Sequence, residues 1–260
     1  MIFSVQDGSF CYPGGDPVWK ELSFSVQSGE ILCVLGANGA GKTTLLRCML
    51  GLLPWKSGQA LLDGVPIGQL SEKSLWEAVS YVPQGQQRSG GLSVLDYTVL
   101  GRASRRTLFQ QPRKADFQAA EQALEKLGIA SLAAHPCDTL SGGEFRLVQI
   151  AKALTRKTRL LVLDEPESNL DFRNQLLVLE TLKHLSEEGM AIVWNTHYPG
   201  HALRYAHRAL LLQKGAAYVF GSAECVLTEA HLSQAFGVQT AIISAEREGR
   251  LLRDVIALGD

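Results

Sequence analysis

The residues of this chain best suited to chemistry form a glycine-rich run that can hold phosphate. The run fits the pattern G-x-x-x-x-G-K-[ST] and continues into a second threonine: Gly36, Ala37, Asn38, Gly39, Ala40, Gly41, Lys42, Thr43 and Thr44. Glycines let backbone N–H groups converge on phosphate oxygens, and the N-terminus of a following helix adds partial positive charge. Lys42 can reach the β- and γ-phosphates, and the Thr43 hydroxyl can ligate Mg²⁺. The alternative is an ordinary glycine-rich turn. Such a turn would not require the complete pattern, nor a predicted strand before it and a predicted helix after it, and this sequence has all three.

The second feature is a pair of acidic residues behind a short apolar run. Asp164 and Glu165 directly follow four apolar residues at 160–163. Ligands of an open α/β sheet bind at the carboxyl ends of its strands, so both carboxylates are placed for catalysis. Asp164 can hold Mg²⁺, directly or through a water, and Glu165 can polarise a water that attacks the γ-phosphate. The alternative is a strand that simply ends in solvated acids.

A third run, Leu140-Ser141-Gly142-Gly143-Glu144, combines a helix start with two glycines. Ser141 and Glu144 have the spacing of a capping box, so a helix is expected to begin here. Gly142 and Gly143 leave that N-terminus bare enough to approach an anion. Taken by itself, the run fits a capped structural helix equally well.

The elements that must position these residues alternate between strand and helix in the first and last parts of the chain. Short β-favouring or apolar runs predict strands at 2–6, 22–27, 31–35, 79–82, 160–163 and 190–194, and helical patterns occur at 43–50, 115–127 and 172–188. Hairpins are expected at 209–213 with 217–220, around Lys214 and Gly215, and at 240–244 with 251–258. Between 85 and 139 strand signals nearly vanish, which indicates a helical insert.

Composition excludes some classes of function. Basic and acidic residues number 25 and 26, so the basic excess typical of nucleic-acid binders is missing and no nucleic-acid partner is expected. The N-terminus does not fit a signal peptide, and no apolar run approaches the length of a membrane span. A role at a membrane would therefore require a partner that does the spanning.

The order of the three runs along the chain closely resembles that of ABC-type ATPases. In that family the run at 140–144 is the signature sequence, which contacts the γ-phosphate of ATP held by the opposite subunit of a dimer. The resemblance spans nearly the whole chain. It implies that ATP is bound and hydrolysed to ADP and phosphate with Mg²⁺ present, at a head-to-tail interface with a second copy of the chain.

Further residues match the family one at a time. Tyr12 stands where the family has an aromatic residue that stacks on adenine, and Gln84 resembles the Q-loop glutamine, which reaches Mg²⁺ and the attacking water. His197 resembles the switch histidine that contacts the γ-phosphate, and 168–171 resemble the D-loop, which crosses the dimer interface. The resemblance thus assigns catalysis to Glu165, His197 and Gln84, nucleotide binding to Tyr12, residues 36–44 and Ser141, Gly142, Gly143 and Glu144, and metal binding to Thr43, Gln84 and Asp164.

The resemblance also implies a fold and its division. The expected fold is α/β: a P-loop NTPase core with an N-terminal antiparallel β subdomain and a helical insert. Within a single ABC ATPase domain at 1–260, residues 1–84 and 140–239 would form the nucleotide-binding core with the β subdomain, 85–139 the helical subdomain, and 240–260 a C-terminal β-hairpin. We expect the insert to dock on a membrane partner with Gln84 as the hinge, and the hairpin to be dispensable for hydrolysis.

Three stretches, at 93–102, 170–175 and 198–202, resemble ATPases that serve iron-siderophore, haem and cobalamin importers. The implied function is to power uptake through separate integral membrane permease subunits, supplied by a periplasmic or surface substrate-binding protein. The chain would then lie peripherally on the cytoplasmic face of the cell membrane. The alternatives are the ATPase of an exporter and a non-transport ABC ATPase, and the residues do not name the cargo.

Some residues depart from the family pattern. Phe145 and Arg146 replace Arg and Gln after the signature, Glu167 stands where Thr is frequent, Asn169 where Ala is frequent, and Trp194 and Asn195 replace small residues or Thr before the switch. No ligand to nucleotide or metal is lost. The departures therefore bear on the dimer interface and on the rate of turnover.

A basic stretch at 102–114 contains Arg102, Arg105, Arg106, Arg113 and Lys114 and no acids. The expectation is a solvated, flexible loop. The alternative is contact with acidic loops or lipid headgroups of a membrane partner.

Overall fold

The structure, a computed structural model, describes residues 1–85, 90–105, 111–156, 158–213 and 216–259. Its strands are β1 (Ile2–Cys11), β2 (Pro17–Gln27), β3 (Ile31–Leu35), β4 (Ser57–Leu62), β5 (Val65–Pro66), β6 (Val79–Val82), β7 (Leu160–Asp164), β8 (Ala191–Asn195), β9 (Arg208–Leu212), β10 (Tyr218–Ser222), β11 (Thr240–Arg247) and β12 (Arg250–Ala257). Its α-helices are α1 (Lys42–Met49), α2 (Glu72–Ala78), α3 (Val94–Val99), α4 (Lys114–Lys126), α5 (Gly142–Leu154), α6 (Phe172–Glu187), α7 (Pro199–Tyr205), α8 (Ala223–Val226) and α9 (Glu229–Phe236). The α/β class expected from the sequence is confirmed.

The central sheet has the strand order β10-β9-β3-β8-β7-β6, and all neighbours are parallel except β10 and β9. β3, β7 and β8 are buried along their whole length, which explains their continuous apolar runs. Alternate side chains of these strands enter two hydrophobic clusters, one with α5 and α6, the other with α1 and the N-terminal strands. The carboxyl ends of β3, β6, β7 and β8 therefore meet at one edge of the sheet.

A second, antiparallel sheet with the order β2-β1-β4-β5 confirms the expected N-terminal β subdomain. β1 and β2 continue beyond the predicted 2–6 and 22–27 because they pair through register shifts around Gly8, which bend the strands without ending them. Trp19 of β2 is buried, and its indole N–H donates to the Ala40 carbonyl at 3.2 Å. The second sheet therefore holds the phosphate loop directly.

The insert between β6 and α5 is helical in its described part, where an isolated bridge between Ser93 and Pro136 is the only β pairing. α4 lies one residue before the predicted 115–127 at each end, and its Ala120, Ala123 and Leu124 are buried. The limits of the insert as a separate subdomain, 85–139, stay a prediction.

One member of the basic stretch is not part of a solvated loop. Arg102 donates to Asp116 at 2.8 Å, and Asp116 is only 3% exposed. The expectation of a solvated side chain was wrong for Arg102, because Asp116, two residues after the basic stretch, forms an ion pair with it. Of the other members, Arg113 and Lys114 are exposed, while Arg106 and the side chain of Arg105 lie outside the described residues.

Three short helices, α2, α8 and α9, have no counterpart in the sequence prediction. Each begins behind a hydroxyl residue that caps it, namely Ser71, Ser222 and Thr228. The hairpin of β9 and β10 forms as predicted, but its turn residues Lys214 and Gly215 lie outside the described part. None of the helices in the described ranges has the length and apolar character needed to cross a bilayer.

The C-terminal strands β11 and β12 pair antiparallel and pack on α7. Asp254 of β12 accepts a hydrogen bond from Arg204 at 3.1 Å, and Val255 packs against the core. Gly200 makes room for this contact, because a Cβ there would collide with the Asp254 carboxylate. α7 begins at Pro199, so the hairpin contacts the element that directly follows the switch residue His197.

We predict that a chain ending at Gly237 folds and still hydrolyses ATP. Gly237 is the left-handed C-cap of α9, so this truncation leaves every preceding helix complete. The lost contacts with α7 should lower the midpoint of thermal unfolding by roughly 2–4 °C for each kcal/mol removed. Calorimetry and phosphate release measure the two effects.

Gly200→Ala provides the matched control for this truncation. In the full chain it should destabilise, because the new Cβ displaces Asp254; in the truncated chain the clash is gone and the same change should be tolerated. A truncated chain that is folded but hydrolyses no ATP would contradict the prediction.

Candidate functional site

A cavity of about 520 Å³ lies at the carboxyl edge of the central sheet. It is lined by Tyr12, Val18, Asn38, Gly39, Gly41, Lys42, Thr43, Thr44, Gln84, Glu165 and His197. Apart from Val18, sequence analysis named every one of these residues. The fold thus brings stretches that are far apart in sequence into one site.

The phosphate loop connects β3 to α1. Gly41 precedes α1 with a φ of 90°, and a Cβ there would meet Val18 at 2.5 Å and Trp19 at 2.9 Å, so no side chain fits. Because glycine has no side chain that could cap α1, the first N–H groups of the helix stay open toward the cavity. They can bind phosphate oxygens there, with the helix dipole in the favourable direction.

Lys42 is 6% exposed and points back into its own loop. Its ammonium donates to the carbonyl of Gly36 at 2.9 Å and to that of Ala37 at 3.3 Å. Burial lowers the pKa of Lys42, and the nearby carboxylates of Glu165 and Asp164 oppose this shift. A phosphate is a stronger, charged acceptor than a carbonyl, so the ammonium can exchange these partners for phosphate oxygens.

Asp164, at the end of β7, is 1% exposed and is held by three donors. The Thr43 hydroxyl donates to Oδ1 at 3.0 Å, Asn195 Nδ2 donates to the same oxygen at 2.6 Å, and the Tyr81 hydroxyl donates to Oδ2 at 3.3 Å. Burial, followed by the charge of Asp164, raises the pKa of Tyr81 to about 12, so the phenol keeps its proton. The carboxylate therefore stays in one orientation beside the phosphate loop.

Glu165 is 7% exposed and adopts a left-handed backbone conformation, with φ 48°. Gln84 Nε2 donates to Oε2 at 2.6 Å, the Ser168 hydroxyl donates to the same oxygen at 3.0 Å, and His197 Nε2 contacts Oε1. The Glu165 N–H donates to Asn195 Oδ1 at 2.6 Å. A left-handed glutamate costs on the order of 1–3 kcal/mol, and these contacts hold it in that conformation.

The tautomer of His197 follows from its two neighbours. Its Nδ1 lies 3.3 Å from Lys42 Nζ, and an ammonium can only donate, so Nδ1 accepts. Nε2 then carries the proton and donates to Glu165. The two ring nitrogens of His197 therefore connect Lys42 of the phosphate loop to Glu165.

Tyr12 lies at the mouth of the cavity and is 51% exposed. Its hydroxyl shares a hydrogen bond with Thr44 Oγ1 at 2.7 Å, and its ring stands edge-on to Phe10 at 5.0 Å. The ring is thus fixed at one end, with its exposed side beside the phosphate loop. It can offer a flat surface to a planar group.

The structure does not bring the signature residues into this cavity. Ser141 and Glu144 form the predicted capping box: the Glu144 N–H donates to Ser141 Oγ at 3.3 Å, and the Ser141 N–H donates to Glu144 Oε2 at 2.8 Å. That second bond also lowers the pKa of Glu144. Ser141 and Gly142 are exposed, and Gly143 packs against Asn174 of α6. The N-terminus of α5 thus lies on the surface, outside this cavity.

Two departures from the family pattern lie close together in space. Glu167 is fully buried and Arg146 is 9% exposed. Burial lowers the pKa of Arg146, whereas the charges of Glu167 and Asp164 raise it, and its guanidinium also donates to the Pro83 carbonyl at 3.4 Å. Of the remaining departures, Phe145 and Trp194 are core residues and Asn169 is exposed with a φ of 60°.

Sequence analysis missed the parts played by Asn195, Ser168 and Tyr81. Asn195 is the most important of them, because its amide binds both Asp164 and the backbone of Glu165. The available signal in the sequence was a polar residue, Asn195, at the end of an apolar strand. Its role depends on the pairing of Asn195 with Asp164 across β7 and β8, and the spacing of residues along the chain does not reveal that pairing.

Comparison with known proteins points to one family. The ABC transporter family matches residues 19–168. The molybdate import ATP-binding protein of Haemophilus influenzae is 34% identical, covering 90% of this chain and 87% of its own. The iron(3+)-hydroxamate import ATP-binding protein of Bacillus subtilis is 33% identical, covering 91% and 88%.

The fold is also similar to that of a solved structure from the same family. That structure is an inward-facing ABC transporter described as metal-chelate type, and it matches with a TM-score of 0.88 and 32% identity. The match covers 99% of this chain and 97% of that chain. The relatives named here are import proteins, and nothing among them supports an exporter.

We predict that Asn195→Ala lowers the free energy of unfolding by about 1–3 kcal/mol, because it leaves buried partners at Asp164 and Glu165 without their hydrogen bonds. Asn195→Asp should cost more at pH 7, since it places a second carboxylate beside Asp164. Denaturant titrations measure both.

The pH dependence separates the two variants. Repulsion raises the folded-state pKa of one carboxyl in Asn195→Asp, so its deficit should shrink as the pH falls and grow as the pH rises. Asn195→Ala should lack this trend. An Asn195→Asp chain as stable as wild type at pH 7 would mean that Asn195 does not hold Asp164.

Proposed function

The chain belongs to the ABC transporter ATP-binding family, whose members hydrolyse ATP to power transport. From that premise we propose that it drives uptake of an iron-chelate, haem or cobalamin-like substrate through a separate membrane permease. The observation that carries the catalytic part is the connected set Lys42, His197, Glu165 and Gln84 at one cavity. The importer part is supported by its relatives, which are named for uptake of molybdate and iron(3+)-hydroxamate.

The proposed site holds ATP by its phosphates and its base. Backbone N–H groups of the loop and of α1, together with Lys42, would bind the phosphates, and Tyr12 would stack on adenine. Thr43 Oγ1, Asp164 Oδ1 and the side-chain oxygen of Gln84 are the hard oxygen donors that Mg²⁺ prefers, so the residues fit this ion. When bound, the ion would neutralise charge that develops on the phosphates.

Glu165 is the proposed general base for the attacking water. Its carboxylate is ordered by Gln84, Ser168 and His197, which fixes the direction in which it can take a proton. The Nε2–H of His197 could move from Glu165 to a γ-phosphate oxygen once a nucleotide is present. Lys42 can leave its loop carbonyls for the same phosphate.

The second half of the site is proposed to come from another copy of the chain. Ser141 and Gly142 lie exposed at the N-terminus of α5 and outside the cavity, so one chain cannot bring them to its own γ-phosphate. A head-to-tail dimer supplies the missing N-terminus and buries the nucleotide between two subunits. The ATP-bound dimer is then the catalytically complete form.

We predict that Glu165→Gln binds ATP but hydrolyses it roughly 10²–10⁴-fold more slowly, because the amide keeps the shape of the side chain and removes the base. Unhydrolysed ATP should then hold two chains together. Size exclusion with light scattering detects the dimer, and phosphate release gives the rate.

Lys42→Ala is the matched control, because it removes a phosphate ligand from the same cavity and leaves Glu165 in place. It should lose nucleotide binding and remain monomeric with ATP present. Hydrolysis by Glu165→Gln at the wild-type rate would overturn the assignment of the base.

The proposed permease site is a groove of about 370 Å³ between β6, α2 and α5, with one lining residue, Gly101, from the insert. It is lined by Trp76, Ser80, Tyr81, Val82, Pro83, Gly101, Gln149, Lys152, Ala153 and Arg156. β6 is the edge strand of the central sheet, and Gln84 directly follows the groove residue Pro83. An acidic segment from the cytoplasmic side of a permease would suit Lys152 and Arg156. In this proposal the chain lies peripherally on the cytoplasmic face of the membrane.

We predict that the chain co-purifies with a permease and that, in liposomes, ferric hydroxamate accumulates with ATP on the side that carries the ATPase. A cysteine at Trp76 should crosslink to the permease, while a cysteine at the exposed Leu252 of the C-terminal hairpin should not. Transport away from the ATPase side would identify an exporter. Crosslinks from the hairpin alone would refute the docking site.

A further inference from the structure

A fully buried carboxylate, Glu167, lies behind the catalytic cavity and has no part in the mechanism above. It follows Glu165 by two residues, but it does not line the cavity. Oε1 accepts the hydroxyl of Thr196, whereas Oε2 is buried and has no hydrogen-bond partner in the described part of the chain. A buried carboxylate with one of its two oxygens unpaired lowers the stability of the fold, so the presence of Glu167 at this position calls for an explanation.

Thr196, the partner of Glu167, connects this carboxylate to the switch residue His197. Thr196 is fully buried. Its N–H donates to the Val34 carbonyl at 3.2 Å, and its hydroxyl accepts the N–H of Tyr198 at 3.0 Å. Because Oγ1 receives that N–H, its own proton is directed to Glu167. The Thr196 hydroxyl thus bonds the backbone of Tyr198 on the far side of His197, and this fixes the turn that contains His197.

Two basic side chains lie near Glu167. His201 Nδ1, from α7, lies 3.8 Å from Oε1, and this nitrogen is also buried without a hydrogen-bond partner in the described ranges. Arg146 of α5 is the second, and its pKa, lowered by burial, is raised by the charge of Glu167. Neither group makes a close ion pair with Glu167, so the Thr196 hydroxyl is its one short partner among the described residues.

We propose that Glu167 is a positioning residue for hydrolysis: through the Thr196 hydroxyl it holds the turn that keeps His197 against Glu165. The inference rests on the roles proposed above for His197 and Glu165. It predicts that loss of the Glu167–Thr196 bond slows turnover and leaves nucleotide binding intact, because ATP is held by the phosphate loop and Tyr12. A purely structural role would instead change stability without changing kcat.

The first test compares Thr196→Val with Thr196→Ser in the full chain. Valine keeps the shape of threonine but removes the hydroxyl, so kcat should fall roughly ten- to hundredfold as His197 loses its position, with KM for ATP unchanged. Serine keeps the hydroxyl and should restore most of the rate. Thr98→Val is the matched control, because Thr98 is equally buried and its hydroxyl donates to the Val94 carbonyl, at 2.7 Å, as its one hydrogen bond within the described ranges.

The second test acts on the other end of the bond. Glu167→Met removes the acceptor at similar length, whereas Glu167→Gln keeps an oxygen that can accept from Thr196. Methionine should therefore lower kcat as much as Thr196→Val does, and glutamine should lower it less. In the double variant Glu167→Met, Thr196→Val the loss should equal that of either single change, because both remove one bond.

An NMR measurement on variants that fold reports the position of His197 independently of activity. The side-chain ¹⁵N shifts of His197 in the wild type should show the Nε2–H tautomer, and in Thr196→Val they should move toward those of a free, averaging imidazole. An unchanged spectrum together with an unchanged kcat would overturn the inference, and so would fully additive losses in the double variant. A wild-type chain without ATPase activity would instead overturn the proposed site itself.

Discussion

The site depends on the pairing of two buried strands, β7 and β8, which sets Asp164 opposite Asn195. One side-chain amide then binds the carboxylate of Asp164 and the backbone N–H of Glu165, and so fixes both acids in relation to the sheet. A shift of one residue in this register would turn every side chain of the strand to the other face. The position of the phosphate loop also depends on β8, because the loop begins at the end of β3 and β3 pairs with β8.

A second constraint is the charge balance around the cavity. Asp164, Glu165 and Glu167 are all buried, and Lys42 and Arg146 are the buried cations nearest to them. Lys42 donates to its own loop, and His197 donates to Glu165. In the proposed reaction, bound phosphates and a divalent cation would add charges of both signs, so these partners could exchange. The low-dielectric surroundings make an unpaired buried charge costly. For the same reason they strengthen each hydrogen bond and ion pair that these groups form.

Much of this arrangement was predictable because it is encoded locally. The phosphate loop, the capping box at Ser141 and the acids after an apolar strand depend on the conformation of a few consecutive residues. Their backbone preferences and caps act within one turn or one strand. The helical character of the insert followed in the same way from composition. The strand limits followed less closely, because β1 and β2 extend beyond their predicted limits through register shifts around Gly8, and β4 and β5 were not predicted.

Contacts between distant parts of the chain were decided by the tertiary structure alone. Arg102 was expected in solvent, yet it pairs with the buried Asp116. In the sequence, Glu167, Arg146 and Asn195 are three separate departures from the family pattern. In the structure, Asn195 binds Asp164 and Glu165, and Arg146 lies near Asp164 and Glu167. The signature helix was placed correctly, but its distance from the cavity follows only from the packing of α5 on the sheet. The sequence by itself determined which local conformations and chemical groups are present; which groups meet was set by strand register and helix packing, because these depend on the simultaneous burial of many side chains far apart along the chain.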